Sequence, residues 1–89
     1  MAHILLRHKV ADFDKWKPQF EDHRWAREAA SLKDLYLWRN EGDPTEIVLL
    51  FEASDLAQAK EFLGSSGLKE KMHEDGVEGV PDIVYLSES

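Results

Sequence analysis

Four side chains that could move a proton or hold an anion sit at positions where a regular element would turn them the same way: His8, His23, Arg27 and Arg39. His23 and Arg27 are four residues apart, so on a helix they share one face, and that face continues the one carrying Trp16 and Phe20. His8 has the parity of Ile4, Leu6 and Val10 in a β-prone run, so on a strand it points where they point. A neutral imidazole accepts a proton near pH 7, and a guanidinium offers a fixed fork of donors to a carboxylate or a phenolate. Together these residues would form a polar end to an otherwise apolar cavity. His8 and His23 would be its acid–base groups and Arg27 its anion-binding group, joined by Arg39 if the second strand has the matching parity. Trp16, Phe20 and Phe51 would be its apolar, ligand-binding walls. The competing reading is structural: His8 hydrogen-bonds inside the layer, while His23 and Arg27 bridge acidic residues at the rim.

Other candidates carry less. His73, Glu74 and Asp75 are three potential metal ligands in a row, but neighbours on a helix point apart and no second histidine stands four away. No metal site is expected. Gly64-Ser65-Ser66-Gly67 lacks the lysine and the preceding strand of a phosphate loop and reads as a helix break. The chain has no cysteine, which removes disulfides, thiolate metal sites and thiol nucleophiles. With no glycine-rich loop opening a helix, neither a dinucleotide nor any other cofactor is expected.

These residues must be positioned by elements legible in the sequence. Residues 2–10 are rich in aliphatics and lead to Asp12, a helix-capping type, so strand one runs into helix one. Phe13, Trp16 and Phe20 at i, i+3 and i+7 predict that helix over Phe13 to Ser31, with an irregular turn or a kink at Pro18. Two β-prone runs, Leu35–Arg39 and Glu46–Glu52, flank the turn formers Asn40 to Thr45 and predict a hairpin. Helix two starts at Ser54 or Asp55, carries Leu56, Ala59, Phe62 and Leu63 on one side, and stops at Gly64. A helical turn over Leu68–His73, a loop holding Gly76, Gly79 and Pro81, and a fourth strand over Ile83–Leu86 complete the chain, with the last few residues unanchored. The order is βαββαβ. It predicts an α+β, ferredoxin-like domain over residues 1–89, with two helices on one face of a four-stranded antiparallel sheet.

The strands carry more apolar residues than two helices can cover. Strand three offers Ile47, Leu49 and Phe51 on one face and Val48 and Leu50 on the other; strand two sets Leu35 and Leu37 against Tyr36 and Trp38. A second copy of the chain, sheet against sheet, would remove the exposed patch, so a homodimer is expected. Trp25 lies opposite Trp16 on helix one and is expected to be exposed. Eighteen acidic against eleven basic residues leave a net charge of −7 with histidine neutral, a field that repels phosphate backbones. Nucleic acid is therefore not an expected partner. The longest apolar run, Ile47–Phe51, is far short of the roughly 20 residues of a membrane span, and Met1–His8 does not resemble a signal peptide. A cytoplasmic protein without a membrane partner is expected.

Nearly the whole chain resembles the dimeric α/β-barrel superfamily. The resemblance rests on Val10-Ala11-Asp12-Phe13-Asp14-Lys15-Trp16-Lys17-Pro18 after the opening strand, on His23 and Arg27 in the helix, on Arg39-Asn40 before Asp43-Pro44, and on Gly76 to Pro81 before the last strand. That superfamily includes antibiotic-biosynthesis-monooxygenase-like proteins and polyketide cyclases. The resemblance implies a homodimer whose two sheets close a barrel, with a small cavity in each subunit between sheet and helices. It also implies cofactor-independent oxidation, isomerisation or cyclisation of an apolar or aromatic substrate. The alternative is a non-catalytic interaction or stress-associated module whose cavity is filled by its own side chains.

Overall fold

Alternation along the two most apolar runs decides which strands are central. In the computed structural model, which describes residues 2–87, β1 (Ala2–Val10) buries Ile4, Leu6, His8 and Val10, and β3 (Asp43–Ala53) buries Ile47, Leu49, Phe51 and Ala53. The two pair antiparallel with Ile4 opposite Phe51, Leu6 opposite Leu49 and His8 opposite Ile47, so the buried residues of both form one continuous surface. β2 (Leu32–Asn40) pairs with the outer side of β3, and β4 (Val77–Leu86) with the outer side of β1, giving the order β2-β3-β1-β4. This is the ferredoxin-like architecture. The unanchored C-terminal end expected from the sequence falls largely outside the described residues.

The helices cover the buried face. Asp12 starts α1 (Phe13–Asp22) by accepting from the N–H groups of Asp14 and Lys15 at 3.0 and 3.4 Å. Asp55 starts α3 (Leu56–Leu63) by accepting from Gln58 N–H at 3.1 Å, and Gly64 ends it. Ser65 Oγ then accepts from Leu68 N–H at 3.2 Å and starts α4 (Ser66–Glu74). The core is built from the inner residues of β1 and β3 with Trp16, Leu32, Ala59, Leu63 and Val77.

Three features depart from the sequence expectation. The first helix is two, α1 and α2 (Arg24–Ala29), and the break is at His23 rather than at Pro18. Pro18 stands on the exposed side of α1, where the carbonyl it leaves unpaired can meet water. At His23 the N–H is shared between the carbonyls of Gln19 and Phe20, and Phe20 O accepts a 2.7 Å bond from Arg27 Nη1. A side chain thus satisfies a carbonyl at the end of α1, and the helix is interrupted there.

Second, β2 carries an extra residue. Asp34 pairs with Phe51 and Tyr36 with Leu50, leaving Leu35 as a bulge. Simple alternation would put Asp34 and Arg39 on opposite faces, but the bulge puts both on the helix side, with Tyr36 and Trp38 outside.

Third, Gly76–Pro81 is not a loop between helix and strand. β4 begins at Val77, pairs Glu78 with Lys9 and Asp82 with Arg7, and sets Gly79, Val80 and Pro81 opposite His8 alone. An edge strand tolerates such a bulge and its proline because one side of its backbone has no neighbour. Gly79 takes φ +71°, a backbone angle that side-chain-bearing residues adopt only at a cost.

Outside the sheet, Leu5, Tyr36, Trp38, Val48, Leu50 and Val84 form an apolar centre, with Tyr36 and Trp38 stacked at 4.9 Å and 9°. Trp38 and Val84 are each 47% exposed and Tyr36 58%. One end of this patch is bounded by the ion pairs of Arg7 with Asp82 and Glu46 and of Lys9 with Asp43. No helix among the described residues is long and apolar enough to cross a membrane.

Candidate functional site

His8 enters the helical layer from the middle of the buried face, and α1 closes over it. Its imidazole meets the edge of Trp16 at 5.5 Å and 66°, and Trp16 in turn stacks on Phe20 at 4.8 Å. His8 is only 5% exposed, and its Nδ1 has no hydrogen-bond partner. Burial penalises the imidazolium and lowers the pKa from 6.5 to about 4, with a smaller opposing effect from the Lys9 backbone. The ring is therefore neutral at pH 7.

Around this group lies a cavity of about 70 Å³ whose wall includes Leu6, His8, Trp16, Phe20, His23, Arg27, Phe51 and Asp75. Six of the seven residues that the sequence suggested for a site thus border one space. The seventh does not. Arg39 is on the helix side of β2 but lies near the hairpin end, its guanidinium 4.1 Å over the ring of Phe13 at the exposed rim.

Arg27 is in place, but its donors face another way. Nε and Nη2 both reach the carboxylate of Asp34 at 2.8 Å, Nη1 reaches Phe20 O at 2.7 Å, and the guanidinium carbon lies 3.7 Å over the Phe20 ring. The bulge at Leu35 is what turns Asp34 inward to meet it. A side chain so engaged fixes α2 to β2, with three of its five N–H donors taken and its charge matched by Asp34. His23, half-buried at the α1–α2 break, contributes to the cavity wall from above.

Asp75 is the polar group that reading the sequence for ligands in a row did not single out. It follows α4, and its Oδ1 is buried without a hydrogen-bond partner, although Lys71 Nζ stands 3.2 Å away. Two backbone contacts bring it to the cavity: Ala11 N–H donates to Gly76 O at 2.9 Å, and Val10 pairs with Val77. In the sequence it stands out only as the last of His73-Glu74-Asp75 and as a residue between a helix and a glycine, a place that many solvated residues share. Among the described residues, no group of three histidines or carboxylates is arranged to hold a metal ion.

A second, larger space of about 400 Å³ opens beside the first, between α4 and β4. Leu6, Leu63, Leu68 and Met72 belong to both walls, so the two spaces adjoin; the small one, bordered by the buried His8, is taken as the inner end of one chamber and the larger cleft as its outer part. Gly79, Val80 and Pro81, the bulge of β4, form the lip of the cleft. Most of the chamber wall is apolar; the neutral His8 imidazole and the Asp75 carboxylate border its inner end, and Lys69 and His73 border the outer cleft.

Fold and chamber together define a ferredoxin-like α+β protein with a ligand-sized space between its sheet and its helices. Solved structures share that fold along nearly their whole length. A protein from Bordetella bronchiseptica, provisionally named an antibiotic biosynthesis monooxygenase, superposes with a TM-score of 0.78 over 99% of this chain and 96% of its own, at 12% identity. A protein from Caulobacter crescentus under the same provisional name gives 0.70 over 99% and 89%, at 19% identity. An uncharacterised NIPSNAP-domain protein from Burkholderia xenovorans gives 0.68 over 100% and 95%, at 11% identity. At these identities the likeness is one of fold. No protein-family model and no curated protein matches the chain.

Proposed function

We propose that the chain works as a homodimer through the open face of its sheet, and that each subunit binds a small apolar or aromatic molecule in the chamber that ends at His8. The turnover it supports is cofactor-independent oxidation, isomerisation or cyclisation. The observation that carries this reading is the unpartnered Nδ1 of a buried histidine at the inner end of an apolar chamber. A buried polar atom without a partner costs about 1–3 kcal/mol, and a ligand hydroxyl would satisfy it. The outer cleft has the volume of a typical small-molecule site. His8 and His23 remain the proposed acid–base groups, with Trp16, Phe20 and Phe51 as walls. Arg27 acts by holding Asp34 and Phe20 in place, and Arg39 has no part in the chamber.

The Arg27–Asp34 pair favours a phenol over a carboxylate at the inner end, because the charge of Arg27 is already matched by Asp34 and that of Lys71 by Asp75. Titration with 1-naphthol, followed through the Trp16 indole signal by NMR, should saturate, while 1-naphthoate binds at least tenfold more weakly. His8→Phe should weaken 1-naphthol tenfold or more, about 1.4 kcal/mol. The size of the inner cavity favours one rival, a non-catalytic dimer whose interior is filled by its own side chains. Absence of any saturable binding would establish that rival.

A further inference from the structure

The inner end of the chamber holds two buried polar atoms, His8 Nδ1, which has no hydrogen-bond partner, and Asp75 Oδ1, which has the Lys71 ammonium 3.2 Å away. They come from opposite ends of the chain. The pairing of Val10 with Val77, and the bond from Ala11 N–H to Gly76 O, fold the end of α4 back onto β1 and bring both groups to one small apolar space. Asp75's side chain is only 10% exposed. The unpartnered His8 Nδ1 costs stability unless a partner arrives, and the chemistry of the two groups is complementary. A carboxylate accepts a proton. A neutral imidazole can donate a hydrogen bond without carrying charge.

We infer that His8 and Asp75 form an acid–base pair for proton transfer at a carbon next to a carbonyl, and that the substrate class is a neutral, apolar, enolisable ketone. The inference rests on the chamber being a ligand site, as proposed above, and it names the chemistry of that site. The Asp75 carboxylate takes the proton from the carbon, and the C–H electron pair becomes the carbon–carbon double bond of an enolate. The carbonyl π pair moves onto oxygen, which accepts a hydrogen bond from His8 with its proton on Nδ1. Asp75 then returns the proton, either to the same carbon or to one further along the conjugated system, which isomerises the substrate. Every proton and electron pair is accounted for, and no oxidant enters. Burial keeps the His8 ring neutral at pH 7, so as the acid partner it polarises the carbonyl by donating a hydrogen bond and keeps its proton. The apolar wall strengthens both contacts by excluding water. Lys71 Nζ, 3.2 Å from Asp75 Oδ1, orients the carboxylate from the outside.

The probe is 2-indanone, a neutral aromatic ketone whose benzo ring would occupy the outer cleft while its carbonyl and the acidic hydrogens on both sides of it reach into the inner end. Its binding is followed by NMR, and exchange of those hydrogens for deuterium in D2O gives the rate. The wild-type chain should accelerate exchange at least 100-fold over buffer, with saturation. In Asp75→Asn, which preserves size, exchange should fall to the buffer rate while 2-indanone still binds; His8→Gln should lose tenfold or more in rate at saturating probe. Exchange at the buffer rate in the wild-type chain, or unchanged in a folded Asp75→Asn, overturns the acid–base pair. If 1-naphthol still binds in that case, the chamber reading survives without it. If neither 1-naphthol nor 2-indanone binds, the chamber reading fails and the acid–base pair with it.

Discussion

His8 shows how a single residue can couple stability to pH through burial alone. Its pKa is 6.5 when unperturbed and about 4 in the fold. As pH falls through the window between these values, the unfolded chain gains a proton that the folded chain refuses, so folding loses stability. Above the window His8 is neutral in both states and contributes no pH dependence. Integrated down to pH 4, the loss is about 3 kcal/mol. Replacing His8 by Leu should therefore flatten the stability profile. Urea unfolding of the two proteins at pH 7 and at pH 4 should show the wild-type chain losing about 3 kcal/mol more than the variant. Parallel losses would mean that His8 takes up its proton as readily in the fold as out of it.

At the scale of elements, Pro18 and the break at His23 exchange the roles expected of them. Proline inside a helix removes one hydrogen bond and crowds the preceding turn, yet α1 runs through Pro18 to Asp22. Tertiary contacts hold the helix there: Trp16 is buried between the sheet and Phe20, and Asp12 caps the start. Pro18→Ala should then restore the bond to Asp14 O without touching the core. Offset by the extra freedom of the unfolded chain, the gain should be about 1–2 kcal/mol, or about 4–8 °C in Tm for each kcal/mol. A Tm that does not rise would show that α1 already relaxes the strain at Pro18. At the break, the Phe20 carbonyl accepts from both the His23 N–H and Arg27 Nη1.

For the whole molecule, the outward face of the sheet is the feature that a single copy does not satisfy. Leu5, Tyr36, Trp38, Val48, Leu50 and Val84 form a contiguous patch on one side of a sheet whose other side is already covered by four helices. Burying each large side chain from water is worth roughly 1.5–3 kcal/mol, so association of two such faces outweighs its entropic cost if the area is that of a standard interface. Sedimentation should find the wild-type chain dimeric at micromolar concentration. Val48→Asp or Leu50→Asp, which places a charge at the centre of the patch, should give monomer, aggregate or unfolded chain. A wild-type chain that sediments as a well-folded monomer would rule out the dimer.

Sequence alone determined the element order, the inward parity of Ile4, Leu6, His8 and Val10, the cap at Asp12, the start of α3 to within Ser54 or Asp55, and the surplus of apolar residues on the sheet. Each of these depends on neighbours a few residues apart, where periodicity and local hydrogen bonds act without reference to the rest of the chain. His8, His23, Arg27, Trp16, Phe20 and Phe51 could be assigned to one space for the same reason: strand and helix faces are fixed by spacing. Tertiary structure decided what those residues then do. The Leu35 bulge, invisible in a run of β-formers, turned Asp34 inward and tied up Arg27. The pairing of β4 with β1 carried Asp75 to a histidine far away in sequence and set Gly79, Val80 and Pro81 at the lip of the cleft. Register shifts and partner choice are settled by long-range packing and hydrogen bonding, in which one extra residue reverses a face, and no local pattern of residue types records that outcome.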